Sequence, residues 1–166
     1  KFGLELPPQK TRLFEFGRFA ASNRRRRGQP KPQTFDFLGF THICGVTRRG
    51  KFIIHRRSIG KRMRAKLKEI KEQLRRRMHL PVIEQGRWLR RVVQGWFQYH
   101  AVPGNYPRLS AFLRLVTRHW LRTIRRRSEK ARARWNWSRM GPLEKRWLPR
   151  PRILHPYPNE RLVVKT

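Results

Sequence analysis

Ile59, Met63, Leu67, Ile70, Leu74 and Met78 recur at steps of three and four, and this stripe constrains the chain more than any other feature. Residues so spaced share one face of an α-helix. The rest of that surface is cationic: Lys61, Arg62, Arg64, Lys66, Lys68, Lys71, Arg75, Arg76 and Arg77. Ser58 is the expected N-cap, and Pro81 is expected to stop the helix. A second helix is expected from Glu84 to His100, with Trp88, Leu89, Val92, Val93, Trp96, Tyr99 and His100 on its apolar side. The string Val102-Pro103-Gly104-Asn105-Tyr106-Pro107 reads as a turn. A third helix then runs from Leu109 to Arg126, turning Leu109, Phe112, Leu113, Val116, Trp120 and Ile124 inward. Three amphipathic helices on short connections make a small bundle.

The flanks read differently. Thr11 to Phe16 alternates as a strand would, and residues 22–33, with four consecutive Arg, Gly and two Pro, read as a basic loop. Residues 34–57 are β-rich: a run from Thr34 to Phe40, another from Thr41 to Thr47, the turn Arg48-Arg49-Gly50, and a last strand from Lys51 to His55. Gly39 inside the first run suggests a kink or a close approach of backbone. Beyond Ser128, the residues Trp135, Trp137, Met140, Leu143 and Trp147 line one short helix, and a Pro-rich extended tail follows Pro149. The expected organisation is residues 1–57, then a bundle over 58–128, then a basic tail over 129–166. The fold class is α+β, mainly α, with a β-hairpin before the helices.

Charge narrows the chemistry. The 166 residues carry 43 Lys and Arg against 9 Asp and Glu, a net charge of +34. Asp36 is the one aspartate, so neither a multi-carboxylate active site nor a calcium site fits. A two-metal nucleotidyl-transfer centre needs several carboxylates and is excluded within this chain. His42 and Cys44 cannot close a zinc site alone, no other His or Cys stands at ligand spacing, and no metal is expected. There is neither a phosphate-binding Gly-rich loop nor a dinucleotide fingerprint. Cys44 has no disulfide partner, no apolar run approaches a membrane span, and a cytoplasmic setting is expected. The chain starts at Lys1 and its first Met is Met63, so a fragment, a truncated gene product or one segment of a longer polypeptide is expected.

What remains is binding to a polyanion. Arg predominates over Lys, and its planar fork suits phosphate oxygens. Cations interleave with aromatics, as in Arg18-Phe19, Arg87-Trp88, His119-Trp120 and Arg146-Trp147. Phosphates bind the first type and unpaired bases stack on the second. Trp88, Trp96 and Trp120 lie on apolar stripes and read as core, while Trp135 and Trp137 are less patterned.

The strings KFGLELPPQKTRL (residues 1–13) and TFDFLGF (34–40) resemble the closing blocks of group II intron reverse transcriptases: the Leu-x-Leu-x-x-x-Lys-Thr segment at the end of the palm, then the primer-grip block. GRWLRRVVQGWFQYHAVPGN (86–105), within residues 61–107, is similar to the maturase-specific domain X, or thumb. RWLPRPRILHPYPNERL (146–162) is similar to the basic tail of bacterial members. FDFLGF and the segment from Tyr99 to Asn105 are the most specific parts.

The resemblance implies a palm remnant with a primer-grip hairpin, a three-helix thumb and a basic tail that contacts target DNA. It implies group II intron RNA and a template–primer duplex as partners, with RNA splicing and reverse transcription as the processes. The Tyr-x-Asp-Asp carboxylates of the family are absent, so no residue here is catalytic, and the Mg2+ of the parent polymerase has no ligands in this chain. Lys10 matches the family's palm lysine. Phe35, Phe37, Leu38, Gly39 and Phe40 match the primer grip. Candidate nucleic-acid contacts are Arg24, Arg25, Arg26, Arg27, Lys61, Arg62, Arg64, Lys68, Arg75, Arg76, Arg77, Arg90, Arg91, Arg118, Arg122, Arg125, Arg126 and Arg127. A stand-alone RNA-binding or RNA-chaperone module without polymerase activity is the alternative. A ribosomal or DNA-compacting protein explains the charge but not FDFLGF.

Overall fold

The computed structural model describes residues 12–157, so Lys10 and the Leu-x-Leu-x-x-x-Lys-Thr segment lie outside the described residues. The fold is mixed α+β and mainly helical. A short helix, α1 (Ala20–Arg26), precedes strands β1 (Phe35–Phe37), β2 (Phe40–Val46) and β3 (Phe52–Ser58). Helices α2 (Gly60–Arg76), α3 (Val82–His100), α4 (Tyr106–Arg125), α5 (Glu129–Arg134) and α6 (Trp137–Trp147) follow. Among the described residues no helix is long and apolar enough to cross a membrane.

Of the segment read as a basic loop, residues 22–26 are helical and carry Arg24 to Arg26, Arg27 caps that helix, and residues 28–33 are loop. Gly28, with φ of 66°, takes the left-handed position after the last turn of α1. The Gln29 N–H then reaches the Arg24 carbonyl at 2.9 Å and the Gly28 N–H reaches Arg25 at 3.0 Å. That pair of bonds satisfies carbonyls which a helix end leaves open. Residues 12–16 form no strand; Phe14 and Phe16 instead pack their rings on Phe35.

The sheet is an antiparallel meander, β1-β2-β3. Phe37 pairs with Phe40, so Leu38 and Gly39 alone make the first turn. Both have positive φ, 45° and 80°. A two-residue hairpin loop with left-handed backbone at both positions matches the right-handed twist of the strands. Thus the run from Thr34 to Phe40 is not one strand but a strand and a turn. The second hairpin turns at Gly50, as expected. On β2, the His55 ring lies over Gly45, where a Cβ would come within 2.4 Å of it.

Ser58 does not cap α2. It is the last residue of β3, and Ile59 holds the cap position. The stripe Met63, Leu67, Ile70 and Leu74 is buried, and α2 packs chiefly on α4. Trp120 of α4 is fully buried at the centre. Its indole N–H donates to Gln85 Oε1 at 2.9 Å. The Gln85 amide nitrogen donates to the Arg77 carbonyl at 2.7 Å and also lies near the Met78 and Leu80 carbonyls. One buried amide of α3 therefore satisfies both the α4 indole and the open end of α2.

The bundle has a further member. Met140 of α6 and Leu148 just beyond it belong to the same buried cluster as α2, α3 and α4. Gly86 makes this possible: a Cβ there would meet the Trp147 ring at 2.7 Å. The extended segment after α6 returns to α3. The Leu154 N–H donates to the Ala101 carbonyl at 2.9 Å, and His155 Nε2 donates to the Gln98 carbonyl at 2.6 Å.

Replacing Gln85 by Met keeps the volume but strands the Trp120 indole and the end of α2 in an apolar interior. Urea denaturation should show a loss of about 2–3 kcal/mol. A change of under about 0.5 kcal/mol would refute the central role of this amide.

Candidate nucleic-acid interface

The turn between β1 and β2 is seated on the end of α3. Tyr99 Oη donates to the Leu38 carbonyl at 2.6 Å, and its ring stacks on Phe40 at 5.6 Å. Gly39 approaches both Tyr99 and Arg62 so closely that a Cβ would lie 3.2 Å from each. The close approach expected at Gly39 is therefore present. Phe40 is buried, whereas Phe37 and Leu38 are 58% and 67% exposed. The five residues of the block divide accordingly: Phe35 joins a ring cluster with Phe14, Phe16 and His42, Gly39 and Phe40 abut Tyr99, and Phe37 and Leu38 face outward.

Beneath the turn lies a buried polar cluster. Asn105 Oδ1 accepts the Ser58 N–H at 3.0 Å. Asn105 Nδ2 donates to Ser58 Oγ and to the His100 carbonyl, each at 2.7 Å. Ser58 Oγ lies 2.9 Å from His100 Nδ1, a bond whose direction is set by the imidazole tautomer. His100 is neutral near pH 7. Burial, and secondarily the Arg62 guanidinium, lower its pKa to about 4. Trp96 stacks on its ring at 3.8 Å and on Phe112 at 4.5 Å. Asn105 stands at the N-cap of α4, yet its side chain makes no capping bond because it clamps the sheet instead.

The cationic residues separate into two groups. Some are held by the protein itself. Arg24 bonds the Pro30 carbonyl, Arg26 bonds Asn23, and Arg27 pairs with Glu15. Arg77 bonds Gln73 and lies 4.8 Å over the Trp88 ring. Arg127 donates to the Leu80 carbonyl, its Nε is buried without a partner, and burial lowers its pKa. These are poor candidates for phosphate contacts.

The second group converges on a groove of about 1080 Å³ between α2 and α4, closed at one end by α5. Lys68, Lys71 and Arg75 line one wall, and Arg122, Arg125 and Arg126 the other. The acids on the lining are Glu72 and Glu129. Five of the sequence candidates meet here: Lys68, Arg75, Arg122, Arg125 and Arg126. Lys61, Arg62, Arg64, Arg76, Arg90, Arg91 and Arg118 are exposed but do not line it. The groove adds Lys71, His119 and Arg132. Lys71 was legible, since it stands three positions after Lys68 and four before Arg75 on one helical face. Burial, then Lys71, Arg122 and Arg118, lower the His119 pKa.

Trp88, Trp96 and Trp135 are partly buried against the core, and Trp137 is 54% exposed. No group of three or more His, Cys, Asp or Glu able to hold a metal ion occurs among the described residues. Comparison of the chain with protein-family models, with curated proteins and with solved structures finds no match.

The neutral His100 makes the seat of the turn acid-sensitive. Its folded pKa lies below the unfolded value of 6.5, so the unfolded chain binds the proton first. Stability should be fully present above pH 6.5 and fall as pH drops toward about 4, with His119 contributing in the same direction. Denaturation across this range should show a smaller fall for His100→Gln than for the parent. Identical profiles would contradict the assignment.

Proposed function

We propose that this chain is an RNA-binding C-terminal part of a group II intron reverse transcriptase/maturase, and that it acts by holding nucleic acid rather than by chemistry. The observation that carries the reading is the α2–α4 groove, where two helices turn six Lys and Arg side chains toward one gap. Guanidinium and ammonium groups on opposite walls suit the phosphates of a duplex backbone running along the groove. The FDFLGF turn, resembling the primer-grip block, is seated on Tyr99, and Asn105 clamps the end of β3 beside it, both inside the segment that resembles domain X. Phe37 and Leu38 are exposed there to meet the end of a primer strand. Neutralised phosphates would also let intron RNA helices pack closely, which is the contribution to splicing.

Affinity for a duplex RNA should fall steeply with salt, since each neutralised phosphate releases condensed counterions. The variant with Lys68, Arg75, Arg122 and Arg126 all changed to Gln should reduce the slope of log affinity against log salt by about 3. An unchanged slope would remove the groove from the interface. With magnesium and a primed template the purified chain should incorporate no nucleotide; incorporation above background would overturn the reading as binding without chemistry.

A further inference from the structure

A second groove, of about 1100 Å³, lies between the α1 loop and the β2–β3 hairpin, away from the α2–α4 groove. Its charged lining residues are all cations: Arg18, Arg25, Lys31, Arg49 and Lys51. The groove between α2 and α4 has Glu72 and Glu129 on its lining, whereas this one carries no acid. Among the four consecutive arginines, Arg24, Arg26 and Arg27 are bonded to Pro30, Asn23 and Glu15, and Arg25 is the one that lines the groove. The lining also holds apolar surface open to solvent: Phe19 is 66% exposed and Val46 67%. Phe52, one residue from Lys51, extends it.

An occupant of this groove has to match both an exposed ring and a set of cations. The charge calls for a polyanion. A duplex would offer the ring no base face, because its bases are stacked and paired. A single strand offers both phosphates along its backbone and flat, exposed base faces that can stack on a ring. We propose that this groove binds a single-stranded nucleic-acid segment, with bases against Phe19 and phosphates on Arg25, Arg49 and Lys51. The site is separate from the α2–α4 groove and takes a different form of nucleic acid.

The test uses the whole chain, with fluorescence anisotropy on an oligouridine and an oligothymidine of about ten nucleotides each, and on a duplex RNA. Phe19→Ala should weaken both single strands about tenfold, the loss of one stacking contact, and leave the duplex unaffected. Arg25→Gln with Lys51→Gln should weaken the single strands and flatten their salt dependence. Because Phe19, Arg25 and Lys51 are exposed, circular dichroism of these variants should match the parent. The Gln variants of the α2–α4 groove should show the converse pattern, so either site can fail alone. Equal loss for duplex and single strand in Phe19→Ala, or no loss for either, would overturn the proposal. So would binding of oligouridine without oligothymidine, since phosphates and base faces are common to both. An acidic peptide of repeated Glu-Glu-Phe that binds here more tightly than the oligonucleotides would assign the groove to a protein partner instead.

Discussion

Repulsion among like charges is the constraint around which this structure is arranged. With 43 basic residues and 9 acidic ones, most cations can have no acidic partner. They must stand in water, where ions screen them beyond about 8 Å at physiological salt. The interior is therefore joined by neutral polar groups. Among the described residues its buried polar side chains are Ser58, Gln85, His100, Asn105, Thr117 and Thr123, and burial holds His100 neutral. A buried lysine or arginine at any of these positions would add a desolvation penalty to an already positive field. Where α2 and α4 lie side by side their outer faces bring cations together, and a bound polyanion would relieve that repulsion.

The same economy of neutral links ties the sheet to the helices. Asn105 and His100 hold the end of β3, and Tyr99 holds the β1–β2 turn. The hairpin is thereby fixed relative to α3 and so to the groove beside α4. Leu38, a bulky residue with positive φ, is an uncommon choice at such a position. Strained, exposed residues of this kind persist when surroundings hold them, and here the Tyr99 hydroxyl grips the Leu38 carbonyl.

The helices were legible in the sequence because a period of three and four admits one reading. Met63, Leu67, Ile70 and Leu74 are buried as the stripe requires, and α3 and α4 begin within about three residues of their expected starts. Errors arose where residues serve a distant partner. Ser58 has the composition of a cap, but its hydroxyl and backbone are bound by His100 and Asn105, more than forty positions away. Four arginines with Gly and Pro read as a loop, yet Gly28 closes a helix there by its backbone. The turn at Leu38-Gly39 was hidden because Leu is rare in it. Gln85 carried no signal at all: a lone Gln on a helix shows nothing of the indole and carbonyls it will meet. Of the candidate site, the wall cations were legible from helical spacing. That Arg77 and Arg127 are bound by the protein itself depends on tertiary contacts no spacing reveals.

The central claim is that nucleic acid lies in the α2–α4 groove rather than over the cationic surface at large. Lysine acylation read by mass spectrometry, with and without bound duplex RNA, tests it most directly. The account predicts that Lys68 and Lys71 are shielded while the exposed Lys130 and Lys145 stay reactive. Equal shielding of all four would contradict it and reduce the groove to one part of a diffuse positive surface.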